Sequence, residues 1–68
     1  MQMLLKEALA MIRVPQVILR DVTNYKNPVV QTMSIYEAYS LDNITINNRG
    51  MYQVDNTTTL LVYERKGE

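Results

Sequence analysis

Apolar residues recur along this chain at two spacings, and the change of period marks its elements. From Met1 to Arg13 the spacing is helical: Leu4, Ala8 and Met11 form one row and Leu5, Leu9 and Ile12 the next. Together they fill a continuous arc that leaves Gln2, Lys6, Ala10 and Arg13 on the opposite side. Pro15 stops this predicted helix, because it disfavours helical backbone at Val14 and has no amide hydrogen to donate. Gln16 to Val22 is short and rich in β-branched residues, which predicts a strand. Thr23 to Pro28, with two Asn and a Pro, is turn chemistry and predicts an exposed loop that carries Tyr25 and Lys26.

Pro28 to Met33 alternates as a short strand, and Ser34 with Glu37 has the spacing of a capping box. A second short helix is therefore expected from Ser34 to Leu41, ending at Asp42-Asn43. The alternation from Val29 to Tyr36 also suits one continuous strand. Ile44 to Ile46 is a short strand, and Asn47-Asn48-Arg49-Gly50 reads as a turn in which Gly50 or an Asn takes positive φ. Met51 to Val54 would return antiparallel, and Asp55-Asn56 would turn the chain into a long last strand up to Lys66. In that strand Leu60 and Val62 point one way and Leu61 and Tyr63 the other. Its middle must be covered on both faces, either within one subunit or between two. The strand also outruns its hairpin partner, so its spare backbone groups must pair with Gln16 to Val22 or with another copy of the chain.

These elements define one small α+β domain over residues 1–68, with an N-terminal helix on an antiparallel β-meander. No internal repeat of useful period is apparent. A chain of 68 residues buries only about 60% of the surface its unfolded form exposes, so its core is marginal. Small folds compensate with disulfides, metals or self-association. This chain has no Cys and no His, which leaves self-association, and a dimer or higher homo-oligomer is expected.

Composition narrows the chemistry. Without His or Cys there is no imidazole base, no thiolate and no ordinary zinc site. The two glycines are too far apart to cradle phosphates. Asp21, Glu37, Asp42, Asp55 and Glu64 sit at predicted caps, turns and strand ends. No enzyme activity, metal or cofactor is therefore expected. Seven basic and seven acidic residues cancel, which lowers the expectation of an extended nucleic-acid partner. No apolar run is long enough to span a membrane, and the N-terminus lacks the features of a signal peptide. A cytoplasmic location is expected.

The candidate contacts are aromatic and basic. Tyr36, Tyr39, Tyr52 and Tyr63 fall on predicted regular elements, while Arg49 and Arg65 lie at the ends of the same hairpin. Tyrosines often serve only as amphipathic lids on a thin core, but they are also favoured at protein interfaces. The expected function is that of a small non-catalytic protein that inhibits or regulates another protein by occupying its surface. Compact, neutral chains of this kind are common among short phage and mobile-element accessory proteins, including antagonists of host defence. Two alternatives remain: sequestration of a nucleotide or nucleotide-derived signal between subunits, with Tyr rings and Arg49 or Arg65 as contacts, and a small DNA-associated regulator.

Overall fold

A computed structural model describes residues 2–66. Seven elements follow one another: β1 (Gln2–Leu4), α1 (Leu5–Leu9), β2 (Gln16–Asp21), β3 (Val29–Ser34), α2 (Ile35–Tyr39), β4 (Thr45–Gln53) and β5 (Thr58–Arg65). The strands form one five-stranded sheet in the order β1-β4-β5-β2-β3. The α+β class is as expected, but the sheet is mixed and not a meander. β5 lies at its centre, antiparallel to β4 and parallel to β2, with Leu60 opposite Ile18 and Leu61 opposite Leu19. Of the two ways to satisfy the long last strand, the chain uses pairing with Gln16–Asp21. Among the described residues no helix is long and apolar enough to cross a membrane.

The first helix is much shorter than its periodicity predicts. Met1 lies outside the described residues, and Gln2–Leu4 is a strand that pairs with Thr45–Asn47 of β4. A lone short helix is marginal in water, whereas pairing with β4 satisfies backbone groups and sets Met3 opposite the buried Ile46. The helical ladder ends near Leu9. Beyond it, Met11 and Ile12 donate only to carbonyls three residues back, and Met11 points to solvent. The second helix matches its signal. The Ser34 Oγ accepts from the Glu37 amide at 3.1 Å, and a Glu37 carboxylate oxygen accepts from the Ser34 amide at 3.2 Å.

The predicted turn at Asn47 to Gly50 does not form, and the two strands flanking it are one continuous β4. Its turn chemistry is spent on a bulge. The Asn48 Oδ1 accepts from the Gly50 amide at 2.9 Å, and the register with β5 slips between Asn48 and Gly50. Arg49 is the extra residue that such a bulge accommodates. No described residue has positive φ, so Gly50 is not needed for a left-handed turn. It leaves room for Tyr52, whose ring occupies the space a Cβ at Gly50 would fill.

The fold also contains a repeat hidden from the sequence pattern. Met3, Glu7 and Ala8 correspond to Met33, Glu37 and Ala38, thirty residues later. Each helix follows directly from a strand, and each glutamate accepts from the backbone amide three residues earlier, Leu4 or Ser34. Each helix opens with an amide that donates across the sheet at 2.8 Å, Leu5 to the Ile44 carbonyl and Ile35 to that of Pro15. Reversing the strand order exchanges β1 with β3 and β4 with β2, leaving β5 in the middle. The chain is thus a strand-helix-strand unit used twice, closed by a fifth strand.

The core sits between the helices and one face of the sheet. Leu5, Ala8 and Leu9 of α1 and Ala38 of α2 meet Val17, Leu19, Ile46, Leu61 and Tyr63 of the sheet. Cross-strand partners share a face, so the alternate residues Ile18, Leu60 and Val62 line the other side. That side is only half-buried at these positions and, among the described residues, carries no helix.

Candidate binding surfaces

The sequence-predicted contacts do not form one site. β5 directs Tyr63 and Arg65 to the helix side, Tyr52 and Arg49 lie on the open side, and Tyr36 and Tyr39 project from α2. Tyr63 is 5% exposed and belongs to the core, so it is unavailable as a surface contact. Arg49 sits in a bulge and not on a loop tip, with its Nε 3.3 Å from Glu64. Tyr36 is 81% exposed, Tyr52 56% and Tyr39 47%, so these three remain free to meet another molecule.

On the helix side, Tyr63 and Arg65 border a cleft of about 240 Å³ that Gln31 and Asp42 also line. It is smaller than the roughly 300–1,000 Å³ typical of small-molecule sites. Its cation is already engaged, since the Arg65 Nε donates to the Asp21 Oδ2 at 3.0 Å. The Thr23 amide donates to the other Asp21 oxygen at 2.9 Å, and the Arg65 amide donates to the Thr23 hydroxyl at 2.7 Å. This network ties the ends of β2 and β5 together. A phosphate entering the cleft would meet Asp42 and compete with Asp21 for Arg65, so its electrostatics disfavour a nucleotide.

Partial burial raises the Asp21 pKa, but the hydrogen bonds from Thr23 and the Arg65 guanidinium outweigh it and hold the carboxyl below its ordinary value. Burial and the Asp21 charge push the Tyr63 phenol up. For a carboxyl depressed in the folded state, the stabilisation is fully present above the unfolded value of 3.8 and is lost as pH falls through the lower folded value. Replacing Asp21 with Asn should therefore flatten the acid limb of the stability profile below about pH 4. Urea midpoints from pH 2 to 7 measure this; an unchanged acid limb in Asp21→Asn would show that the network does not stabilise the fold.

The open face was not visible as a patch in the sequence. Its residues come from four strands: Tyr52, Leu60, Ile18 and Thr32 form one cross-strand row, and Gly50, Val62, Arg20 and Val30 the next. Glu64 follows along β5. The only signal was local, the presence of apolar residues at both parities of β5.

A further surface is the border made by β3 and α2. β3 ends the sheet order, so among the described residues no strand flanks its outer side. Val29 and Val30 are exposed on it, and Tyr36 lies two residues beyond the strand's end. β3 itself, Val-Val-Gln-Thr-Met-Ser, contains no charge and no proline, the usual devices that keep an edge strand from pairing. No protein-family model, curated protein or solved structure matches this chain.

Proposed function

We propose that this chain is a non-catalytic binding protein, working as a homo-oligomer, that inhibits or regulates another protein by covering part of its surface. Short phage and mobile-element accessory proteins that antagonise a host factor act in this way. The observation that carries the reading is the β3–α2 border, an unguarded strand edge beside exposed Val29, Tyr36 and Tyr39. Edges of this kind accept an added strand from a partner through main-chain hydrogen bonds, with flanking side chains supplying selectivity. Tyrosine adds contact area for little entropy. Nucleotide sequestration between subunits ranks below this because the cleft arginine is paired and Asp42 adds negative charge. A DNA-associated role ranks lower again for a chain of zero net charge.

The test is capture of a protein from cell extract on the immobilised full-length chain, followed by titration of the purified pair. Tyr36→Ala and Val29→Lys should each weaken the complex about tenfold or more while leaving the far-ultraviolet circular dichroism unchanged. A partner whose affinity ignores both substitutions would move the contact off this border. Native mass spectra of the purified chain that carry a nucleotide-sized adduct would favour the small-molecule reading instead.

A further inference from the structure

We infer that two copies of the chain pack through the open faces of their sheets, about a two-fold axis running along the strands between β2 and β5. This names the surface for the self-association proposed above and rests on that reading. β2 and β5 are parallel and in register, with Ile18 opposite Leu60 and Arg20 opposite Val62. An axis between them therefore lays β5 of one copy over β2 of the other at matching heights. Leu60 meets Ile18 of the second copy, and Ile18 meets its Leu60. One strand further out, β4 lies over β3. There the Tyr52 ring, folded over Gly50, lies against Val30 and Thr32 of the second copy. The match is self-complementary, as an isologous contact requires.

Charge agrees with this arrangement, and area sets its strength. Val62 covers Arg20 of the second copy, which brings that guanidinium within one strand step of Glu64. Aligned sheets pack about 10 Å apart, a gap that two long side chains can bridge. Glu64 is held on this face by Arg49, so each copy offers a carboxylate and an arginine to the other. Four strands of each copy overlap, six to nine residues long, which gives a contact on the order of 500 Å² per copy, at the small end for a specific interface and suited to a dimer in exchange with monomer. Two sheets face to face with helices outside would also leave the β3–α2 border of each copy uncovered.

Sedimentation equilibrium and native mass spectrometry of the full chain test the interface. The wild type should be a dimer. Leu60→Asp and Val62→Lys should each raise the dissociation constant on the order of a hundredfold while keeping the wild-type circular dichroism. The long side chain introduced by Val62→Lys can reach water from the free face of a monomer, so this variant decides the matter if Leu60→Asp fails to fold. A wild-type dimer that persists in a folded Val62→Lys variant would overturn the face assignment and leave self-association standing. A wild type that stays monomeric at millimolar concentration would overturn both, while the Tyr36 and Val29 substitutions would still report on binding of a different protein.

Discussion

Leu61→Asp is expected to abolish cooperative folding, whereas the same change one residue earlier, at Leu60, should be tolerated by the isolated subunit. Leu61 is fully buried at the centre of the sheet, opposite Leu19 of β2 and Met51 of β4. An aspartate there would place a carboxylate among apolar side chains with no partner. Burying an unpaired charge is among the mechanisms that cost more than about 4–5 kcal/mol, comparable with the whole stability of a small domain. The carboxyl could escape by staying protonated, but that still leaves a polar group without a hydrogen bond. Leu60 points to the helix-free face, where aspartate reaches water. Far-ultraviolet circular dichroism and thermal melts of the two variants read this contrast directly. A cooperative, wild-type-like melt for Leu61→Asp would mean that the helices cover the other face of the sheet.

That contrast also shows what could be read from the residues alone. Local signals with a mechanism of their own held up: the Ser34–Glu37 box, the β-branched run at Gln16 and the Asp55-Asn56 turn, where the Asp55 carboxylate accepts from the Thr57 amide at 2.8 Å. Signals that depend on what the rest of the fold offers did not. The apolar arc of the first thirteen residues suits a helix by periodicity, yet its first turn gains more by pairing with β4. Asn47 to Gly50 carries the chemistry of a reversal, but the same Asn side chain that would close a turn closes a bulge just as well. The parallel pairing of β2 with β5 spans more than forty residues and has no local signature. The candidate residues scattered for the same reason. Tyr63 and Arg65 share a face of β5, but only the register with β4 reveals that Tyr52 is on the opposite one.

Leu9→Ala should cost several times more than Tyr39→Ala, although the two residues hold the same place in the repeated strand-helix-strand unit. Leu9 follows the buried Ala8 as Tyr39 follows the buried Ala38, but Leu9 is 1% exposed and packs in the core, while Tyr39 is 47% exposed. Truncating a fully buried leucine loses its transfer free energy and leaves a cavity, together about 2–5 kcal/mol. Removing the half-exposed tyrosine should cost about 1 kcal/mol or less. In a domain of this size each kcal/mol moves the melting temperature by roughly 4–8 °C, so Leu9→Ala should melt at least about 4 °C, and up to a few tens of degrees, below Tyr39→Ala. Calorimetry of both variants measures the difference, and equal shifts would mean that the two helices share the core evenly. The inequality bears on function because it frees one half of the repeat. With α1 anchoring the core and α2 held by its capping box and Ala38, Tyr36 and Tyr39 can be changed or engaged by a partner at little cost to the fold. That separation lets these exposed tyrosines change without unfolding a 68-residue chain.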